Sequence, residues 1–185
     1  SFKLTGEGPF IDYSMAGRTM MLSSERPEWD SGVLDIAGIS KDKLSEPVRS
    51  TATIGRVRED IRAGFGLSRT CQVVLGGHDQ ACGAVGSGVI TPGMVMDACG
   101  TVDAMVSVLP GFIIDRAMLD NKLPCYRHVD GTNYITMAIN TNGGLFLKWY
   151  KNTFCHEESQ LCGEQNCDIY TYIIKECANT PADIY

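Results

Sequence analysis

The stretch that decides the fold is Cys71–Gly88, which reads CQVVLGGHDQACGAVGSG. Its first five residues form a short, nearly continuous apolar run, which predicts a strand buried on both faces of a sheet. Gly76-Gly77 ends this strand, and residues 79–86 follow as a helix of small residues that can pack closely against other backbone. Strand, tight turn and helix in this order indicate an α/β fold.

Three polar side chains stand at this strand-to-helix turn, namely His78, Asp79 and Gln80. Ligands bind at the open ends of strands in α/β proteins, so an imidazole, a carboxylate and an amide at this place form a candidate site. Structural interpretations are equally good on these residues alone. Asp79 could be a helix N-cap, and His78 could be an ordinary loop histidine.

Two further turns could face an anion. Gly100-Thr101 joins two predicted strands, and its N–H groups and hydroxyl could contact a phosphate, although a plain hairpin turn is favoured when the turn is taken alone. Gly143-Gly144 opens a predicted helix at Leu145, where bare backbone and the positive helix end could approach a nucleotide. A simple packing turn is the alternative there.

Other segments supply the remaining elements. Asp12 is expected to cap a helix, and Trp29, Val33, Leu34 and Ile36 recur at helical spacing up to Gly38, a predicted helix C-cap. Further predicted elements are strands at 53–57, 94–99, 104–109 and 134–140 and helices at 60–65 and 169–178.

The composition excludes several classes of protein. The chain has 185 residues, 44% of them hydrophobic, with 16 Lys and Arg against 22 Asp and Glu. A net charge of −6 would repel a phosphate backbone, so nucleic acid is not an expected partner. No apolar run approaches the ~20 residues that a bilayer requires, and residues 1–10 do not resemble a signal peptide. We therefore expect a cytoplasmic protein without a membrane partner.

The chain has eight cysteines and no CxxC motif, and most of them are expected to be buried thiols. Five potential zinc ligands lie near the end of the chain: Cys155, His156, Cys162, Cys167 and Cys177. Their spacings match none of the usual structural zinc sites, so no metal site is predicted there.

Several motifs, in this order, resemble the FGGY family of carbohydrate kinases. Residues 12–19 (DYSMAGRT) resemble the family's TDYSxASxT segment, and residues 76–88 resemble its GGxDQxxxAxGxG segment, which is the most specific match. Thr91-Pro92-Gly93 and Gly100-Thr101 fall where the family has its PG turn and its second phosphate motif. Residues 142–150 resemble its later glycine-rich turn and tryptophan-bearing helix.

The resemblance implies an actin-like ATPase, ribonuclease-H-like fold, of which this chain would hold the end of the first domain and the start of the second. Residues 1–92 would belong to the sugar-binding domain and residues 93–185 to the nucleotide-binding domain. The family's N-terminal DxGTxxxR phosphate loop and distal adenine-binding segment have no counterpart here. We therefore expect a fragment of a longer kinase that is inactive alone.

The resemblance also implies roles for single residues. Asp79 matches the catalytic base. Substrate contacts are expected from Asp79, Gln80 and His78, and nucleotide contacts from Gly100, Thr101, Gly143 and Gly144. ATP with Mg²⁺ would be the phosphoryl donor, and a small sugar or polyol would be the acceptor. A homodimer is left open.

The residue types suit phosphoryl transfer, which needs positioning, charge stabilisation and one base for the hydroxyl proton. The sequence departs from the family pattern at Ile11, Val102 and Lys148. The departure at Val102 supports the alternative hypothesis of a non-catalytic sugar- or nucleotide-binding module of the same fold. A zinc-binding interaction domain built on the C-terminal cysteines is the third hypothesis.

Overall fold

The computed structural model describes residues 1–181. The helices are α1 (Phe2–Thr5), α2 (Tyr13–Gly17), α3 (Ser31–Ala37), α4 (Glu59–Gly64), α5 (Asp79–Gly86), α6 (Arg116–Asp120), α7 (Gly144–Phe154), α8 (His156–Gln165) and α9 (Ile169–Ala178), with a 3₁₀ turn at Lys41–Lys43. The strands are β1 (Phe10–Asp12), β2 (Glu46–Val48), β3 (Thr53–Arg56), β4 (Gln72–Val74), β5 (Val95–Cys99), β6 (Asp103–Leu109), β7 (Tyr126–Arg127) and β8 (Tyr134–Asn140).

Side chains at the helix ends explain where several helices start and stop. Asp12 caps α2 as expected, and Asp30 caps α3 by accepting a hydrogen bond from the Val33 N–H at 3.0 Å. The predicted C-cap Gly38 has φ of 65°, a left-handed conformation that glycine adopts without strain. Asp168 caps α9, which spans the predicted residues 169–178.

The strands form three sheets. β1 and β2 are parallel, with Asp12 opposite Val48, and β3 pairs antiparallel with β4. The third sheet has four strands in the order β5-β6-β8-β7. The predicted hairpin of β5 and β6 is therefore present, and β8 has the predicted bounds Tyr134–Asn140.

Two predictions about these elements were wrong: the burial of β4 on both faces and the start of the helix that ends at Gly38. β4 exists, but Gln72 and Val74 are exposed, because its sheet has only two strands and does not enclose it on both faces. Trp29 was predicted to share the helical pattern, but it lies before α3 in a bridge with Leu22. Within α3, Ile36 is 90% exposed. Leu34 is the one buried residue of α3.

The chain divides into two compact units. The first comprises Ser1–Ala98 and Ala104–Ile139, and the second comprises Cys99–Asp103 and Asn140–Tyr185. The larger core of the first unit packs α5 against the four-stranded sheet through Ala81 and Ala84, both fully buried. Small side chains let the α5 backbone lie close to the sheet, as the run of small residues predicted.

The second unit contains the turn of residues 99–103 and the helices α7, α8 and α9. Its buried side chains include Cys155, Cys162 and Ile173. Within residues 1–181, none of the helices is both long enough and apolar enough to span a bilayer.

The prediction that most cysteines are buried was wrong. Cys155 and Cys162 are buried, Cys71 and Cys125 are partly buried, and the other four are exposed: Cys82, Cys99, Cys167 and Cys177. Apolar neighbours in sequence do not bury a cysteine when the element is short and one of its faces is open, as in α5 and β5.

Candidate functional site

The candidate site of the first unit is built at the carboxyl ends of two parallel strands. Asp12 is the last residue of β1, and Ser50 comes two residues after the end of β2. Both side chains are buried, with 3% exposure each, and Ser14 in the first turn of α2 is fully buried. We call these three residues the Asp12 cluster.

Hydrogen bonds satisfy the buried Asp12 carboxylate. Its Oδ2 accepts from the Ser14 N–H at 2.7 Å, the Ser14 Oγ at 2.5 Å and the Ser50 Oγ at 3.0 Å. Its Oδ1 accepts from the Met15 N–H at 3.3 Å. These donors compensate the cost of removing a carboxylate from water.

The Asp12 cluster also holds the turn that carries His78 and Asp79. The Ser14 Oγ accepts a hydrogen bond from the His78 N–H at 2.8 Å, across 64 residues of sequence. A Cβ atom at Gly77 would lie 2.4 Å from Val129 Cγ1 and 2.9 Å from Ser14 Oγ. This approach leaves no room for any side chain at position 77.

Asp79 is the first residue of α5, and His78, not Asp79, is the N-cap. The alternative in which Asp79 is the cap was therefore wrong. The Asp79 side chain is 85% exposed, and its Oδ1 accepts from the Gln80 N–H at 2.8 Å and lies 3.3 Å from His78 Nε2. Asp79 thus presents an exposed carboxylate at the positive end of a helix, where negative charge is favoured.

His78 has an unusual environment for a turn residue. Burial lowers the pKa of its imidazole below the usual value of about 6.5, and the Arg18 charge lowers it further, against the opposing effect of Asp79 and Asp12. The imidazole is therefore neutral at neutral pH, and its Nε2 lies 3.3 Å from Asp79 Oδ1. Its Nδ1 is buried with no hydrogen-bond partner.

Arg18 and Tyr126 complete the charged and polar surroundings of this turn. Burial raises the pKa of the Tyr126 phenol, an effect that Arg18 opposes and Asp79 reinforces. Arg18 also lines a cavity of about 410 Å³ together with Tyr126. The charged and polar groups at the turn are therefore two carboxylates (Asp79 and Asp12), one neutral imidazole and one cation.

The two glycine turns of the second unit contact each other. The Gly144 N–H donates to the Gly100 carbonyl at 2.7 Å, and the Leu145 N–H donates to the Thr101 carbonyl at 3.3 Å. A Cβ at Gly144 would lie 2.8 Å from the Gly100 oxygen, and one at Gly143 would lie 2.8 Å from Asp103 Oδ1. Glycine is therefore required here for packing, which was the alternative interpretation of Gly143-Gly144.

The structure brings the predicted residues together in two groups. His78, Asp79 and Gln80 lie at the start of α5 in the first unit, where Gln80 is half-buried. The second unit holds Gly100, Thr101, Gly143 and Gly144. Sequence reasoning missed the Asp12 cluster as part of the site. Asp12 and Ser14 lie in the matched DYS motif, whereas nothing in the local sequence marks Ser50.

The cysteines near the end of the chain do not form a ligand set in the described part of the second unit. Within residues 1–181, no three His, Cys, Asp or Glu side chains lie together so that they could hold a metal ion. Hydrogen bonding to Cys167, with burial, raises the pKa of the Cys162 thiol to about 11. This thiol therefore stays protonated at neutral pH.

Residues 1–86 match the model described as the FGGY family of carbohydrate kinases, N-terminal domain. This match confirms the predicted resemblance to FGGY carbohydrate kinases. The chain is 34% identical over 176 residues to an autoinducer-2 kinase of Yersinia enterocolitica, covering 95% of this chain and 32% of that protein. It is 30% identical over 158 residues to a xylulose kinase of Bacillus subtilis, covering 85% of this chain and 31% of that protein.

Solved structures of FGGY kinases have the same fold. A ligand-bound xylulose kinase of Lactobacillus acidophilus matches with a TM-score of 0.74 and 26% identity, over 82% of this chain and 30% of that one. A xylulose kinase of Rhodospirillum rubrum matches with a TM-score of 0.81 and 18% identity, over 98% of this chain and 34% of that one. The predicted actin-like ATPase fold class is confirmed. The chain spans about a third of the length of these FGGY kinases.

The close approach at Gly77 gives a prediction about stability. Gly77→Ala places a methyl group against Val129 and Ser14, so we expect it to lower the free energy of unfolding by about 1–3 kcal/mol, the usual cost of overpacking. Gly76→Ala is the matched control, since a Cβ there meets nothing within 4 Å. Urea denaturation of the two variants and the original chain measures the difference. Equal stability of the two variants would show that the turn can shift to accommodate a methyl group at position 77 without loss of stability.

A second prediction follows from the environment of His78. Because folding lowers its pKa, the unfolded chain takes up this proton first as the pH falls. The contribution of His78 to stability is therefore complete above about pH 6.5 and is lost as the pH falls through the lowered pKa of the folded state. Urea denaturation between pH 7.5 and 5 should show a weaker loss of stability in His78→Gln than in the original chain. The same dependence of the free energy of unfolding on pH in His78→Gln and in the original chain would contradict the burial of a neutral His78 ring.

Proposed function

We propose that this chain carries the acceptor-activating part of a kinase that transfers the γ-phosphoryl group of ATP to a hydroxyl of a small sugar or polyol. One observation carries the proposal. Asp79 presents an exposed carboxylate at a strand-to-helix turn that a buried hydrogen-bond network holds, in a chain whose residues 1–86 match the N-terminal domain of FGGY carbohydrate kinases. An exposed carboxylate on a held backbone has the properties of a general base that must reach a bound hydroxyl.

In this proposal Asp79 accepts the proton of the acceptor hydroxyl as that oxygen attacks the γ-phosphorus of ATP. The bond from this phosphorus to the β–γ bridging oxygen breaks, and ADP leaves. His78 Nε2 lies 3.3 Å from Asp79 Oδ1, and because burial keeps the imidazole neutral the ring does not neutralise this carboxylate. Gln80, the next residue of α5, supplies an amide that can bind neighbouring hydroxyls of the acceptor. Phosphoryl transfer requires little more from the protein than this base, positioning and charge stabilisation.

We assign the nucleotide side of the proposal to the contacting turns of the second unit. The amides of Gly144 and Leu145 are already bonded to the carbonyls of Gly100 and Thr101, so they are not the first choice of phosphate donors. The Thr101 residue itself is exposed. We propose that its hydroxyl donates to a phosphate oxygen of ATP, and that Gly100, Gly143 and Gly144 hold this turn in place.

Mg²⁺ is expected with ATP in such a reaction. The described residues include no cluster of three potential protein ligands, so they do not form a metal site by themselves. We therefore assign no step of the mechanism to the ion.

The relatives' names restrict the acceptor only to a class. One relative is named for autoinducer-2 and another for xylulose. We propose an acceptor of comparable size with several hydroxyls, to be identified by measuring ATP consumption with autoinducer-2, pentuloses, hexuloses, aldonates and polyols in the full-length protein that carries this chain.

The assignment of the base predicts the effect of Asp79→Asn in that full-length protein. Loss of a positioned base lowers rates by ~10²–10⁴, so kcat should fall by this factor while the affinity for ATP changes little. Steady-state kinetics and ATP titration measure both quantities. Asp35→Asn, the same change at an exposed position of α3, is the control and should keep kcat within about 2-fold. An Asp79→Asn enzyme with unchanged kcat would remove Asp79 from the role of base.

The nucleotide assignment predicts a different pattern for Thr101→Val. Removing one neutral hydrogen bond of about 0.5–1.5 kcal/mol should raise the KM for ATP by roughly 2- to 10-fold and leave the KM for the sugar unchanged. Thr91→Val makes the same change in the exposed turn before β5 and should alter neither constant. If Thr101→Val also leaves the KM for ATP unchanged, its hydroxyl does not contact the nucleotide.

A further inference from the structure

The Asp12 cluster determines which way the Ser14 hydroxyl points. An ionised carboxylate only accepts hydrogen bonds, so the Ser14 proton is directed at Asp12 Oδ2, 2.5 Å away. The lone pairs of the same oxygen are then free to accept the His78 N–H, at 2.8 Å. Asp12 thus acts on the turn of α5 through a hydroxyl whose donor and acceptor roles it fixes.

The turn has few other constraints on its exposed side. Asp79 Oδ1 interacts with the adjacent Gln80 N–H and His78 ring, both of which move with the turn itself. The contacts that tie the turn to the body of the unit lie on its buried side. They are the Ser14–His78 hydrogen bond and the packing of Gly77 on Ser14, Asp12 and Val129.

We propose that Ser14, oriented by Asp12, is a positioning residue for Asp79: its hydrogen bond to the His78 N–H sets the place of the carboxylate at the start of α5. The inference rests on the proposed function, in which Asp79 is the base. A displacement of about 1 Å in a reacting group can cost ~10²-fold in rate. A single backbone hydrogen bond next to the base can therefore affect turnover without touching either substrate.

The test is a double-mutant cycle in the full-length protein that carries this chain. Ser14→Ala removes the acceptor of the His78 N–H, so kcat should fall by roughly 10- to 100-fold, while the KM values for ATP and sugar change by less than about 3-fold. In the Asp79→Asn background the same Ser14→Ala change should alter kcat by less than about 2-fold, because the base that Ser14 positions is already absent.

Ser50→Ala is the matched control. Ser50 has the same burial as Asp12 and donates to the same Oδ2 atom, but it has no hydrogen bond to the turn of residues 76–79. We expect Ser50→Ala to destabilise the protein about as much as Ser14→Ala in urea denaturation but to lower kcat less than Ser14→Ala does, because it leaves the acceptor of the His78 N–H in place. Ser14→Cys retains a weaker donor and acceptor at similar volume, so its kcat should lie between those of the original protein and Ser14→Ala. If Ser14→Ala does not fold, Ser14→Cys replaces it in the cycle.

The outcomes separate the two proposals. Equal losses of kcat in Ser14→Ala and Ser50→Ala, or the same loss from Ser14→Ala in both backgrounds, would show that Ser14 is structural only and overturn the inference. A wild-type kcat in Asp79→Asn alone would instead overturn the assignment of the base in the proposed function. A large effect of Ser14 that requires an intact Asp79 supports the inference.

Discussion

The close contact of Gly77 with Asp12 and Ser14 is the constraint on which the rest of the candidate site depends. It joins the end of β1 to the turn before α5, two segments far apart in sequence, and at its centre is a carboxylate with 3% exposure. A buried carboxylate is tolerated only when donors surround it, and Ser14, Ser50 and Met15 supply them. Because one of these donors also accepts from the His78 N–H, satisfying Asp12 and placing the turn are parts of the same network.

The packing of α5 complements this network. Ala81 and Ala84 are fully buried against the four-stranded sheet, so the helix axis lies close to the strands and has little freedom to tilt. The first residue of the helix is nevertheless exposed. A rigid helix whose first residue bears an exposed carboxylate reconciles two demands on a general base: a fixed position and access to a ligand.

Much of this local structure could be predicted from sequence because its causes are local. The C-cap at Gly38, the Asp12 cap, the helix of small residues and the bounds of β8 follow from patterns within a few residues. The exposure of Val74 could not be predicted in this way, since it depends on β4 having a single partner strand. The role of Ser50 depends on a contact across 38 residues, for which the local pattern contains no signal.

The glycine pair before α7 shows why a motif does not by itself define a ligand contact. A glycine can be required because a ligand lies close to the backbone or because another part of the chain does, and the sequence is the same in both cases. Here the Gly100 carbonyl lies where a Gly144 side chain would be, and it accepts the Gly144 N–H. The glycine requirement is thereby explained without a nucleotide. If the nucleotide binds at this turn, recognition must therefore come from groups that the packing leaves exposed. Among the four predicted residues, Thr101 is the one whose side chain can donate such a hydrogen bond. The three glycines would then hold the turn that presents Thr101 and would not bind the phosphate through their own N–H groups.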